Sequence, residues 1–290
     1  LPGDVNNAFN TANSVSSIGD TLYVGSDSGL VVLYLSVSGT VDSTSSYTFA
    51  ESALSSRKVM RARVQPYTES SVPKLAYWLS TAPATVAGSS QLTYSLDRGQ
   101  SWENKAAPVT NEILFKADSV ILLTVIGARQ TSRDPLTLIT AIAIADSLNS
   151  SYSISSDTLL SGYVSGDTII IGGAHGVAFS PTAGRNYRVF KANTDPLHPD
   201  VVLNYIAGFG ISGDFVPAIG VQYHVGKTAS VWFSTRPVSS GGNAVNRLVF
   251  DTGRRVLIDT FIVDDFAWNF GFAGDTAFLA ANTGLFQVVD

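Results

Sequence analysis

The chain has 290 residues, 45% of them hydrophobic and only 14% charged, against roughly 25% charged in an average soluble domain. Val, Ile, Leu, Phe and Tyr are plentiful enough to offset chain entropy, which excludes a disordered chain, and the polar fraction beside a mean hydropathy of +0.20 is too large for a membrane protein. Net charge is −5, with no basic run beyond Arg254-Arg255 and the loose group Arg57, Lys58, Arg61 and Arg63; a nucleic-acid binder needs a basic face, so that partner is excluded. The polar residues are Ser, Thr, Asn and Gly rather than Lys and Glu, a composition of sheet and turn. No cysteine is available for disulfides, zinc knuckles or a thiol nucleophile. The longest apolar runs, residues 120–128 and 141–145, fall short of the ~20 residues needed to span a bilayer. The start Leu1-Pro2-Gly3 lacks an initiator Met and a signal-like stretch, so a processed or excised product is expected.

In chain order, residues 4–12 come first, with Asn6, Asn7 and Asn10 lowering but not forbidding an extended edge conformation. Next comes the segment Gly19-Asp20-Thr21-Leu22-Tyr23-Val24-Gly25, followed by Gly29-Leu30. It returns as Gly166-Asp167-Thr168 to Gly172 with Gly176-Val177, and as Gly274-Asp275-Thr276 to Ala280 with Gly284-Leu285. In each copy a glycine stands nine positions after the Asp. Gly-Asp supplies a positive-φ turn, and the apolar run has the length of a buried strand. The aspartates lie 147 and 108 residues apart, which divides into about three and two units near the ~40–50 residues of a propeller blade. Weaker copies fall where that division places them: residues 74–80 into 91–95, 118–124 into 136–145, and 230–234 into 247–250.

The expectation is a single all-β domain over residues 1–290, a β-propeller of six four-stranded antiparallel blades, with seven blades as the alternative. The competing architecture is a β-sandwich, in which turns rarely repeat in identical register. The last unit ends one strand short of four, so residues 4–12 are expected to supply an outer strand beside Gly284–Val289; pairing with another subunit is the alternative.

Ser95-Leu96-Asp97-Arg98-Gly99-Gln100-Ser101-Trp102 matches Ser-x-Asp-x-Gly-x-x-Trp and so resembles the Asp-box, or BNR repeat, of sialidases and secreted bacterial propellers. Asp97 can accept from the N–H groups of its own turn, Gly99 provides positive φ, and Trp102 packs the far strand. An eroded copy, Ser180-Pro181-Thr182-Ala183-Gly184-Arg185-Asn186-Tyr187, has Thr for Asp and Tyr for Trp, which leaves its turn bonding open. Asp251-Thr252-Gly253 is a fainter remnant. In the families it resembles, the motif lies in turns away from the ligand face, so the resemblance implies fold and a structural role.

The resemblance to sialidases implies three arginines, a Tyr–Glu nucleophile pair and an acid Asp. The chain has 12 Arg but only Glu51, Glu69, Glu103 and Glu112, none beside a Tyr in a defensible strand context. Other glycosidases need two carboxylates about 5–10 Å apart, and many of the 19 Asp sit in turns where a structural role suffices. The densest ligand-like stretch is Asp195-Pro196-Leu197-His198-Pro199-Asp200; with His175 and His224 the only other histidines, it reads as a Pro-pinned loop, not a zinc site. No calcium loop and no Gly-x-Ser-x-Gly elbow exist. Trp78, Trp232 and Trp268 read as blade packing. Residues 82–90 and 236–246 are candidate binding loops, and Asn149-Ser150-Ser151 is a sequon.

The function expected is non-catalytic recognition or assembly outside the cytoplasm: a secreted, cell-surface, adhesion or filament-associated scaffold. Its partner is a protein or glycan, self-assembly is an open possibility, and neither cofactor nor metal is expected. Six Lys against 12 Arg, no Cys and Ser/Thr/Asn-rich loops favour that setting. The alternative is a secreted glycan-active hydrolase, for which a convergent cluster of Arg and carboxylates would speak.

Overall fold

A computed structural model describes residues 11–48, 54, 58–82, 90–133, 139–147, 150, 153–191, 211, 215–223, 229–236, 244–250, 256–262, 267–281 and 283–289. The first sheet is β1 (Ala12–Ile18), β2 (Thr21–Ser26), β3 (Gly29–Leu35) and β4 (Val41–Thr48). The second is β5 (Val59–Glu69), β6 (Val72–Thr81), β7 (Gln91–Ser95) and β8 (Glu103–Ala106). The third is β9 (Thr110–Lys116), β10 (Ser119–Thr124), β11 (Gly127–Ser132) and β12 (Thr140–Ile142). The fourth is β13 (Leu159–Ser165), β14 (Thr168–Gly173), β15 (Gly176–Ser180) and β16 (Arg188–Phe190). The fifth is β17 (Phe215–Gln222), β18 (Ser230–Arg236), β19 (Ala244–Phe250) and β20 (Val256–Ile262); the sixth is β21 (Ala267–Ala273), β22 (Thr276–Ala281) and β23 (Gly284–Val289).

Strands follow in sequence order within every sheet and pair antiparallel. The fold is an all-β, six-bladed β-propeller. The described residues give five blades four strands and the sixth three. Of residues 4–12, residues 4–10 lie outside the described residues and Ala12 begins β1.

The repeated turns explain the hairpins. Gly19, Gly166 and Gly274 have φ of +54°, +54° and +58°, each joining the first strand of a blade to the second. Asp20, Asp167 and Asp275 therefore occupy the same hairpin position in three different sheets. The carbonyls of Asp20 and Asp167 accept from Leu35 N and Ala183 N, each at 2.8 Å.

The weaker copy read at residues 118–124 is a full fourth copy of the turn. Asp118 accepts from Arg133 N at 2.7 Å in the same way, and Gly127 stands nine positions after it. Ala117 takes the positive φ, +49°, that glycine takes elsewhere, which makes this copy read as a weaker one. The expected pairing of residues 118–124 with 136–145 is corrected accordingly: β10 runs into β11 at Gly127–Ser132. The other two expected pairings, β6 with β7 and β18 with β19, are as read.

Two compact units compose the chain: residues 1–125 with 130–139, and residues 126–129 with 140–290. In the first, the core lies between successive sheets. Tyr23, Leu30 and Val32 of the first blade meet Val59, Ala62, Val64, Tyr77 and Leu79 of the second. On the second blade's other face, Trp78, Leu92 and Tyr94 meet Ile113, Val120 and Leu122 of the third. In the second unit Ile170, Val177 and Phe190 meet Val216, Val231, Phe233 and Leu248, and Trp232 and Val245 meet Ala267, Ala277 and Leu279. Each buried Val, Leu, Ile or Phe among them contributes about 1.5–3 kcal/mol relative to exposure.

Polar contacts repeat between neighbouring blades. Ala62 N donates to Ser14 Oγ at 2.9 Å, and Ser161 Oγ donates to the Val216 carbonyl at 3.0 Å. A Cβ on Gly25 would come within 2.7 Å of Ser14 Oγ, and one on Gly172 within 2.8 Å of Ser161 Oγ and the Val216 carbonyl. The template's second glycine thus exists to admit the next blade's first strand.

Candidate functional site

First strands of successive blades neighbour one another in the first unit, β1 beside β5 and β5 beside β9. That adjacency brings Arg61 and Arg63, on one face of β5, to Glu112 of β9. Arg63 Nη2 lies 2.7 Å from Glu112 Oε2, and Arg61 Nε lies 3.7 Å from the same oxygen. Arg61 Nε donates to the Asn111 carbonyl at 2.7 Å, and Ile113 N donates to Glu112 Oε1 at 2.9 Å. Arg63 Nη1 donates to the carbonyls of Val15 and Ala62 at 3.3 and 3.1 Å. Glu112 is 7% exposed and both its oxygens are engaged. Burial pulls the Arg61 guanidinium below its ordinary pKa, against the Glu112 charge that raises it and the Arg63 charge that lowers it further. Two cations against one carboxylate leave one positive charge here.

The sequence singled out a basic group at residues 57–63 but not its partner. Arg57 lies outside the described residues, Lys58 pairs with Asp27 at 3.2 Å, and only Arg61 and Arg63 converge. No local pattern links Arg61 to Glu112, because they meet only through the packing of two first strands.

The Ser95–Trp102 turn is bonded throughout. Ser95 Oγ donates to Asp97 Oδ1 at 2.7 Å and accepts from Gly99 N at 2.7 Å. Ser101 N donates to Asp97 Oδ1 at 2.9 Å, and Ser101 Oγ to Asp97 Oδ2 at 2.5 Å. Burial raises the Asp97 pKa, but hydrogen bonds from Ser101, Ser95 and the Gln100 backbone outweigh it and hold the carboxyl below its ordinary value. Arg98 and Gly99 have φ of +60° and +86°. A Cβ on Gly99 would strike the Tyr47 ring at 2.4 Å, so glycine serves packing as well as conformation. Trp102 packs on Tyr77 of its own blade and edge-on against Tyr47 of the preceding one, at 6.2 and 5.5 Å.

The eroded copy keeps this geometry. Ala183 and Gly184 have φ of +63° and +82°, and Gly184 N donates to Ser180 Oγ at 3.0 Å. Thr182 Oγ1 accepts from Asn186 N at 3.1 Å, the bond Asp97 accepts from Ser101 N. Tyr187, in the place of Trp102, is 3% exposed, and burial pushes its pKa up to about 12.

Other candidates scatter. Asp146 is buried, accepting from Val189 N at 2.8 Å and Arg188 Nε at 3.3 Å. His175 Nδ1 sits 3.1 Å from Asp157 Oδ1 on an exposed turn. Asp195, His198, Asp200, His224, Glu51, Asn149, Asp251, Gly253, and loop residues 83–89 and 237–243 lie outside the described residues. Among the described residues no group of three metal-ligating side chains occurs. Trp78 and Trp232 are buried as expected, but Trp268 is 56% exposed, which corrects its reading as blade packing.

No protein-family model matches the chain, and no curated protein matches it in sequence. Solved structures do match in shape. Hydrazine synthase of Kuenenia stuttgartiensis is 11% identical, with a TM-score of 0.57 over 97% of this chain and 77% of that one. Hsv2 of Kluyveromyces marxianus is 8% identical, with a TM-score of 0.54 over 96% of this chain and 76% of that one. At such identities the likeness establishes the propeller fold and nothing about activity.

Proposed function

We propose that the chain is a non-catalytic recognition and assembly module acting outside the cytoplasm, secreted or at a cell surface, with a protein or glycan as partner. The observation that carries this reading is the state of Glu112: the carboxylate that sits between two guanidiniums is also hydrogen-bonded to a backbone N–H. A hydrolase of glycosides works with two carboxylates flanking one bond, one of them able to take up and release a proton. Both oxygens of Glu112 are engaged by neighbouring donors, and Asp97 and Asp146 are likewise engaged in their own turn and strand. On this reading the Ser95–Trp102 turn is an Asp-box in a purely structural role. Absent cysteine and Ser/Thr-rich surface strands such as β4 suit an extracellular setting.

The convergence of Arg61, Arg63 and Glu112 favours a second reading, a glycan-active hydrolase. A panel of fluorogenic glycosides, sialosides included, separates the two. No turnover above buffer is expected; turnover that Glu112→Gln removes in a folded variant would make the chain a hydrolase.

A further inference from the structure

We propose that Arg61 is the anchor of a binding site for a carboxylate-bearing ligand. The inference deepens the recognition reading and rests on it for the ligand being bound rather than turned over. Arg61 points its Nε at the Asn111 carbonyl, and no bond of its Nη1 or Nη2 occurs among the described residues. The side chain is 29% exposed and neither Nη is among the buried atoms without a partner, so the guanidinium, though partly desolvated, still reaches solvent. Arg63, by contrast, has Nη1 engaged by two carbonyls and Nη2 by Glu112. One planar, pre-oriented pair of N–H donors is therefore left open, the geometry that takes a carboxylate through two parallel bonds.

Charge selects the ligand. The cluster carries one net positive charge, which one carboxylate cancels. A phosphate dianion would bring a surplus negative charge to the buried Glu112, at a cost that partial burial enlarges. Val15, whose carbonyl holds Arg63, is 54% exposed, so the cluster lies at the surface of the first two blades. A uronic acid presents one such carboxylate on a sugar ring and fits the open pair and its charge.

The fold does not demand these charges. First strands β13, β17 and β21 carry no Asp, Glu, Lys or Arg, and they pack their blades without any. A half-buried cluster of this kind adds little stability, since desolvation offsets most of the attraction.

The test titrates the full chain with glucuronate, glucuronate methyl ester and inorganic phosphate at constant ionic strength. The readout is the Arg Nε–Hε nuclear magnetic resonances, with the Arg61 signal identified by its loss in Arg61→Lys. Glucuronate is expected to shift the Arg61 signal, with the ester and phosphate at least tenfold weaker. Arg61→Lys keeps the charge and loses the fork, so binding, followed in that variant on the neighbouring Arg63 Nε–Hε signal, should fall at least tenfold with melting temperature checked in parallel. Equal binding of the ester, equal binding of phosphate, or unchanged affinity in Arg61→Lys would overturn the carboxylate site. No shift with any probe would overturn it too and leave the scaffold reading standing. Glucuronate binding with hydrolysis of a fluorogenic glucuronide would support the site and overturn the non-catalytic reading instead.

Discussion

Gly127 stands so close to the carbonyl oxygen of Ser155 that a Cβ placed on it would come within 1.9 Å. Gly29 stands in the same way against the Tyr47 carbonyl, at 2.0 Å, and Gly176 against the Phe190 carbonyl, at 2.5 Å. These glycines begin the third strand of their blades with φ of +98°, +139° and +133°. The repeat therefore keeps glycine there for two reasons, a backbone conformation closed to other residues and a close passage of the chain that follows.

Gly29→Ala and Gly127→Ala should each lose about 3 kcal/mol or more in urea unfolding, from strain together with collision. Gly166→Asn should lose about 1 kcal/mol or less, because its φ of +54° suits Asn and nothing lies within 4 Å of the added Cβ. Similar losses at all three positions would refute the distinction.

Asp97→Ala should cost about 1–2 kcal/mol at neutral pH, the worth of its turn bonds. Its carboxyl pKa is lower folded than unfolded, so its stabilisation is present above the unfolded value of about 4 and fades as pH falls through the folded one. The gap between wild type and variant in urea melts should therefore narrow from pH 7 to pH 3. A gap constant over that range would mean that the charge plays no part. Glucuronate binding should be unaffected.

Gln222 and Gln65 hold equivalent inter-blade bonds but unequal ones. Gln222 donates to the Gly274 carbonyl at 2.8 Å and accepts from Trp232 Nε1 at 2.8 Å. Gln65 donates to the Ala117 carbonyl at 2.8 Å while its Oε1 is buried without a partner. Gln222→Leu should cost about 2–4 kcal/mol, since it strands the buried indole N–H as well as a carbonyl, and Gln65→Leu about 1–2 kcal/mol. The reverse order in thermal or urea melts would count against this account.

Glu112→Gln should destabilise by about 3 kcal/mol, because it leaves two partly buried guanidiniums facing each other. Adding Arg63→Gln to it should recover part of the loss. A double variant less stable than the single would show that Arg63 acts chiefly through its carbonyl bonds.

The amino-acid sequence determined the blades wherever the turn chemistry is local. Gly19-Asp20, Gly166-Asp167 and Gly274-Asp275 dictate positive-φ hairpins within four residues, and the glycine nine positions on begins the next strand. Where Ala117 adopts that conformation in place of glycine, the pattern is weak and misplaces its second strand, even though the bonding is the same. The Ser95–Trp102 turn was legible for the same reason, because its bonds span at most four residues, and Thr182 shows that a hydroxyl can stand in for the carboxylate. What tertiary structure alone decided is the meeting of Arg61 with Glu112, 51 positions away, and of Gly127 with Ser155. Both depend on which strands lie side by side after packing. A charge group read along one strand has no partner until the next blade's first strand is laid against it.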